Sequence, residues 1–439
     1  MDVARLNFSH GTWEEHGRRA ETIRAESEKL GKPVAILQDL CGPKIRTGKV
    51  GPTQVESGDT IDLVAGEVGD DKTLAIDYDG LTEDVRPGDR IILGDGNAEL
   101  SVVGVTGDRV QCRVEHGGAL RARMGANLPS ARVRLRALTE KDKKDLEYGL
   151  SIGVDFVAMS FVRSADDIEE LRDLCRKHGS VPPIVAKIET PQAVENLDSI
   201  VRAADAAMVA RGDLGVELPP EFVPVIQKQI IMTCRTHKKP VIVATEMLQS
   251  MVESPRPTRA EASDVATAVF GGTDAVMLSA ESATGKYPIA ACRMMDRIIR
   301  QAEGSSFWEP TPSEPGSTIQ DAAARVACNM AREVGAKLII ALTESGFTAR
   351  LVSKARPTVP IIAFSPETTT LRRSALYWGV APHPIEVHSD TEIEGIVKRT
   401  NAYLIEAGLV ARGDRYVMVY GAPMGVRGST NAVRVEEIR

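Results

Sequence analysis

No two of the six cysteines form a CxxC pair. Cys41, Cys112, Cys175, Cys234, Cys292 and Cys328 are scattered, so neither a zinc site nor a dithiol redox centre is indicated, and a reducing, cytoplasmic setting is expected. No apolar run is long enough to cross a bilayer and no signal peptide is read, so no membrane partner is expected. A Walker A loop, a GxGxxG fingerprint and an HExxH helix are all missing. Ala283-Thr-Gly-Lys-Tyr287 comes near a phosphate loop, but Tyr287 stands where Ser or Thr is needed. There is no basic excess either. The 439-residue chain carries a net charge of -7, which argues against a broad nucleic-acid surface. Its 43% hydrophobic and 26% charged residues are ordinary for a globular protein of roughly two or three domains.

What the sequence does contain is an apolar stretch that ends in charge, Ile184-Val-Ala-Lys-Ile-Glu189. Strand alternation puts Ala186 and Ile188 on one face and Val185, Lys187 and Glu189 on the other. A Lys and a Glu sharing a face are costly in a plain core. They fit the mouth of a parallel barrel. The next apolar stretch, Ala206-Ala-Met-Val-Ala-Arg-Gly-Asp213, ends the same way, and Glu189 with Asp213 is a candidate magnesium pair. Solvation of a strand-end charge accounts for either stretch alone. Two neighbouring strands with this ending point to a site.

Around that pair the chain alternates strands and helices. Asp2 to His10 reads as a strand with Arg5, Asn7 and Ser9 on one face, followed by a helix from Thr12 to Leu30 closed by Gly31 and Pro33. Val34-Ala-Ile-Leu-Gln-Asp39 is the next strand. From Lys49 to about Ser130 short apolar runs separated by Gly, Asp and Pro predict an all-β insert. At Thr139, paired with Asp142 as a cap, the βα rhythm resumes. Strands are predicted near Phe156, Ile184, Met208, Val241 and Val276, with helices opening at Ser164, at Thr190-Pro191, through Gln227–Thr236 and after Thr258. That rhythm means a parallel sheet or barrel. The helix Tyr287–Glu303 stops at Gly304, and Ser305 to Ser317, with three prolines, reads as a linker. Strands near Leu338–Leu342, Pro360–Phe364, Ile385–Val387, Tyr416–Tyr420 and Val433 predict a further α/β domain.

With these segments placed, the chain resembles pyruvate kinase. The likeness rests on Ala4-Arg-Leu-Asn-Phe-Ser-His-Gly11, Gly42-Pro-Lys-Ile-Arg-Thr-Gly48, Leu138-Thr-Glu-Lys-Asp-Lys-Lys-Asp-Leu146, Asp155-Phe-Val-Ala-Met-Ser-Phe161, Ala186-Lys-Ile-Glu189, Ala210-Arg-Gly-Asp-Leu-Gly215, Ala244-Thr-Glu-Met-Leu248 and Pro255-Arg-Pro-Thr-Arg-Ala-Glu261. The resemblance implies an α/β fold: a TIM (β/α)8 barrel over 1–48 and 131–304, an inserted β-rich lid over 49–130, and a C-terminal α/β effector-binding domain over 318–439. It implies phosphoryl transfer from phosphoenolpyruvate to ADP, giving pyruvate and ATP, in a cytoplasmic homotetramer. By the same resemblance Glu189 and Asp213 hold magnesium (or manganese). Lys187 stabilises the phosphoryl in flight and the enolate left behind. Arg5 clamps the phosphate, Gly212 and Thr245 receive the substrate carboxylate, and Thr245 and Ser279 lie near the proton path. Asn7, His10, Arg46 and Asp95 are expected near the nucleotide. Outside the family context Arg5 and His10 read as ordinary strand-end residues.

Three departures from the family pattern carry expectations. The family's potassium site corresponds to Asn7, Ser9, Asp39 and the carbonyl of Leu40. Potassium-dependent members have Glu where this chain has Lys44, so potassium is expected not to be required. Met124 replaces the second basic residue of the lid segment Ala122–Pro129, which predicts reduced ADP affinity. The family's first strand and helix have no counterpart before Asp2. Seven barrel strands are therefore expected, with one βα unit of about thirty residues missing, through an internal Met taken as the start or a genuinely short chain. In the C-terminal domain Thr343, Ser345 and Thr348 open a helix and resemble the family's effector-phosphate loop, completed by Gly421–Asn431. A phosphorylated allosteric effector is expected; plain helix capping by Thr343 and Ser345 is the alternative. Two other functions compete: a magnesium barrel lyase or aldolase, separated by testing for ATP formation, and a non-catalytic effector-binding protein, which ligands would stabilise without turnover.

Overall fold

A computed structural model describes residues 1–49, 51–70, 72–94, 96–129, 131, 133–310, 312, 316–386, 393–423 and 428–439. Seven parallel strands form its largest sheet, in chain order: Val3–Asn7, Ala35–Asp39, Phe156–Met159, Ile184–Ile188, Ala206–Ala210, Val241–Ala244 and Ala275–Val276. Each pairs in register with the next, as Val3 with Ala35 and Lys187 with Met208. The first and last strands are not paired with each other among the described residues. Parallel strands need crossovers, and the helices between them are well punctuated. Thr12, Thr139, Ser164 and Thr258 each close a capping box with the acid three residues on.

Alternation along the strands divides their side chains between two cores. Ile184, Ala186 and Ile188 face the outer helices with Leu146, Ile168, Leu171 and Ile230. Val185, Leu37, Phe156, Met208 and Ile242 face inward. The inner cluster also contains Leu376, a buried residue from the C-terminal part of the chain, with Tyr377 packed against it.

Between the second and third barrel strands lies a six-stranded sheet with its own core, including Leu63, Ile76, Ile91, Leu100 and Val110. The C-terminal sheet has five strands in the order Val380–Pro384, Ile361–Ser365, Leu338–Leu342, Arg415–Gly421, Thr430–Glu437. Only the last pair is antiparallel. The strand predicted near Ile385–Val387 lies earlier, at Val380–Pro384, and Val387 falls outside the described residues. It is an edge strand, where Pro382 and Pro384 break no ladder on the solvent side. The helix predicted over Gln227–Thr236 starts at Val223, with Pro224 in its first turn.

The C-terminal unit is bolted to the barrel's amino-terminal end by Asp274, whose carboxylate is fully buried. It accepts the Val241 amide at 2.8 Å, Lys354 Nζ at 2.5 Å and Arg356 Nη2 at 3.1 Å. Arg356 also stacks 4.6 Å from the Trp378 ring. Burial pulls the Lys354 ammonium below its ordinary range, and Asp274 opposes that. Asp274→Ala leaves two buried cations without their counter-charge, and is expected to cost about 3–5 kcal/mol in urea unfolding. A loss below 1 kcal/mol would show that the cations find other partners.

Candidate active site

The charged residues singled out in the sequence collect at the carboxyl ends of the barrel strands. At their centre is Asp39, only 1% exposed. Arg5 grips Asp39 Oδ2 through Nε and Nη2, both at 2.6 Å. Lys187 Nζ lies 3.3 Å from Oδ1 of the same carboxylate. The ammonium also donates to Ser160 Oγ at 2.7 Å and pairs with Glu189 Oε1 at 2.8 Å. Ser160 in turn donates to the Leu40 carbonyl at 2.7 Å. Neither Ser160 nor Asp39 as an anchor for Lys187 emerged from the sequence. The signal for Ser160 was its place directly after the strand Phe156–Met159.

Glu189 is fully buried. Its Oε2 accepts the Phe161 amide at 2.8 Å, a contact that holds Phe161 at φ +53°. Its Oε1 has the Lys187 ion pair but no donor in hydrogen-bond alignment. Burial pushes the Glu189 carboxyl up to about 7; Lys187 opposes this and Asp213 adds to it. Burial alone would pull the Lys187 ammonium down, but Asp39 and then Glu189 outweigh it and hold it above its ordinary range. One ammonium thus serves two carboxylates, and Glu189 receives less compensation than its burial requires.

Asp213 opens from the short helix Arg211–Glu217. Its carboxylate has no hydrogen-bond or ion-pair partner among the described residues. No cluster of three or more His, Cys, Asp or Glu that would suit a metal occurs among them. A two-carboxylate site, with a buried Oε1 lacking an aligned donor, fits magnesium, which takes one or two carboxylates and fills its shell with water and substrate oxygens. It does not fit structural zinc, which takes four protein ligands.

Thr245 and Glu246 both sit in the left-handed region, at φ +69° and +54°. Arg211 holds that turn: it donates to the carbonyls of Ala244 at 3.2 Å and Thr245 at 2.6 Å, and is anchored on both oxygens of Asp264 at 2.7 Å. Thr245 Oγ1 accepts the Gly212 amide at 2.7 Å. The sequence marked Gly212 and Thr245 but not Arg211, whose role needs the fold to bring Ala210–Gly215 against Ala244–Leu248. Ser279, at the last barrel strand, has its amide on Glu281 Oε2 at 2.6 Å, and its hydroxyl has no acceptor among the described residues.

The remaining candidates are more dispersed. Asn7 Oδ1 accepts the Ser9 amide at 3.1 Å. Lys44 is exposed and lines a cleft with Arg163 and Glu217, and among the described residues no hydrogen bond or ion pair joins it to Asn7, Ser9 or Asp39. Arg46 is half-buried at the lid junction, with Nη1 3.1 Å from the Arg123 carbonyl. His10 is exposed; its carbonyl meets His16 Nε2 at 2.9 Å. Asp95 lies outside the described residues, as do 424–427 of the loop expected to complete the effector pocket. Met124 reaches towards Gly94. In the C-terminal unit Thr343 Oγ1 accepts the Gly346 amide at 3.0 Å, and Thr348 shares a 2.6 Å hydrogen bond with Thr430; Ser345 is exposed.

A raised Glu189 pKa has a sign that can be tested. Below about pH 7 the carboxyl holds a proton that magnesium, if held there, would have to displace. Magnesium binding is therefore expected to release up to one proton near pH 6 and almost none at pH 8.5. Affinity should fall as pH drops through 7. Calorimetry in buffers of different ionisation enthalpy reads this directly; equal, near-zero proton release at both pH values would rule it out.

The sequence model of "Pyruvate kinase, barrel domain" matches residues 1–292, and that of "Pyruvate kinase, alpha/beta domain" matches 321–436. Similar curated proteins include the pyruvate kinase of Mycobacterium intracellulare, 43% identical over 100% of this chain and 93% of the relative. That of Clostridium acetobutylicum is 41% identical over 100% and 94%. That of Geobacillus stearothermophilus is 42% identical over 100% and 76%.

Proposed function

This chain belongs to the pyruvate kinase family and moves a phosphoryl group from phosphoenolpyruvate to ADP, and within that reaction we propose the following division of labour among its residues. The observation that carries it is the Lys187 ammonium, held charged between Asp39, Glu189 and Ser160 at the mouth of the barrel.

Phosphoryl transfer asks chiefly for positioning and charge neutralisation. The bond between phosphorus and the enol oxygen breaks as an ADP oxygen bonds to phosphorus. Lys187 faces the moving phosphoryl and then the enolate oxygen; its charge is fixed in advance, so little reorganisation is needed. Arg5, braced on Asp39, clamps the substrate phosphate. Glu189 and Asp213 would hold magnesium, which when bound neutralises substrate charge. Gly212 and Thr245 receive the substrate carboxylate, and Arg211 keeps the Thr245 turn in place. The enolate carbon then takes a proton, by a path that passes Thr245 and Ser279. Arg46, with Asn7, His10 and Asp95, is assigned to the nucleotide.

We assign residues 1–48 and 131–304 to the catalytic barrel, 49–130 to the lid and 318–439 to an effector-binding unit; the separate apolar cores support this division. A phosphorylated effector is assigned to the loop of Thr343, Ser345 and Thr348. The helix Phe347–Lys354 behind it begins at Gly346 without a side-chain cap, which leaves its first amides for an anion. A homotetramer, usual in the family, is assigned on that ground alone.

Members of the family generally need magnesium and potassium. For this chain we assign independence from potassium, on Lys44 at the position where dependent members have Glu. The cations already on Asp39 support it. In potassium- and sodium-free buffer turnover is expected to stay within twofold of that in 100 mM potassium chloride (about, as an order of magnitude); a drop of tenfold or more would end this assignment. Lys187→Met is expected to lower kcat about 10²–10³-fold in the coupled assay for ATP formation, and to lower stability as well, since it leaves Glu189 buried without its counter-charge. Retained turnover would remove Lys187 from the chemistry.

A further inference from the structure

Where the barrel's amino-terminal end meets the C-terminal unit, cations outnumber carboxylates. Arg172 is accounted for, 3.1 Å from Asp205 and 3.5 Å from Glu169. Three neighbours have no carboxylate within ion-pair distance among the described residues. Lys239 Nζ donates to the Ala204 carbonyl and, at 3.4 Å, to that of Arg202. Arg373 Nε donates to the Asp155 carbonyl at 3.2 Å. Arg350 lies 5.5 Å from the Phe347 ring centre, and its buried Nε reaches no protein acceptor.

Two hydroxyls join them. Ser374 is completely buried, and its Oγ also has no partner in the protein. A Cβ placed on Gly346 would lie 3.5 Å from that oxygen and 3.4 Å from Tyr377 Oη. The charges are close enough to act on one another. Burial first, then Arg350, pulls the Lys239 ammonium down, against the pull of Asp205, which is already paired with Arg172. Burial raises the Tyr377 hydroxyl, and Arg350 and Arg373 draw it back. Unpaired, partly desolvated cations held together are costly. Lys239 and Arg350 keep some exposure, so a small solute can reach them.

We propose that Lys239, Arg350 and Arg373, with the hydroxyls of Ser374 and Tyr377, form a binding site for a phosphate monoester between the barrel's amino-terminal end and the C-terminal unit. Two guanidinium groups, one ammonium and two hydroxyls match the charge and acceptor oxygens of that group. The site adjoins the loop assigned to the effector at Gly346, which Ser374 and Tyr377 approach, but takes one of its cations, Lys239, from the barrel, whereas Thr348 of that loop faces Thr430. Its ligand would touch the barrel through Lys239 and the helix Phe347–Lys354 through Arg350. It does not depend on the assignment of the Thr343–Thr348 loop.

The test is a titration of inorganic phosphate into the full chain, followed by calorimetry. It compares the unaltered protein with Lys239→Ala, Arg350→Ala and Arg350→Lys. Arg5→Ala and Thr348→Val, alone and combined, control for the other phosphate-binding places. Lys239→Ala and Arg350→Ala are each expected to weaken one binding component about tenfold or more. Arg350→Lys should recover part of it, and the combined control should retain it. Phosphate binding unchanged in both alanine variants, or abolished in the combined control, overturns the site. Should the alanine variants fold poorly, crystals of the unaltered protein soaked in selenate decide. An anomalous peak within hydrogen-bond reach of Lys239 and Arg350 supports the site; selenate found only elsewhere overturns it.

Discussion

A buried ammonium is tolerable only where negative charge is built around it, and much of the barrel mouth follows from that requirement at Lys187. Asp39 meets it from two strands away and Glu189 from the end of its own strand, and Ser160, after the strand between them, fixes the direction of the third contact. Each partner needs its own support. Asp39 is shared with Arg5, and Glu189 takes the amide of a left-handed Phe161. Strain at Phe161, Thr245 and Glu246 is sustained because these contacts over-determine the backbone. The same crowding leaves Glu189 short of compensation, a deficit that a divalent cation bound there would meet.

The parts of this arrangement visible in the sequence were those carried by local pattern. Alternation placed Lys187 and Glu189 on one face, and capping pairs such as Thr139 with Asp142 marked helix starts within a residue. Family motifs drew attention to Thr245 and Gly212. What pattern does not carry is who meets whom across the barrel. Ser160 and Lys187 are 27 residues apart, and Arg211 reaches Asp264 over 53. Only strand order and register bring them together. The edge strand Val380–Pro384 was misplaced for a related reason: two prolines argue against a strand unless its unpaired side is known.

The C-terminal unit shows the same economy of charge at the opposite end of the barrel. Asp274 sits just before a barrel strand and answers two cations, one ending the helix Phe347–Lys354 and one two residues beyond it. Near it, Lys239, Arg350 and Arg373 have no carboxylate within ion-pair distance among the described residues; Asp155 and Asp205 act on them only from further off. The contrast between a matched and an unmatched set of cations on one contact surface separates fastening from binding.

Leu376 gives that contact surface a further consequence. It lies within the apolar cluster that fills the barrel, among Phe156, Val185, Met208 and Ile242. The barrel interior is therefore completed by a side chain of the C-terminal unit, which has apolar cores of its own, even though a proline-rich segment joins the two in the chain. Cutting that segment would not yield two independent halves. The barrel would be left with an uncorked lumen and the smaller piece with a naked leucine, so exchanging the C-terminal unit between relatives requires carrying its plug along.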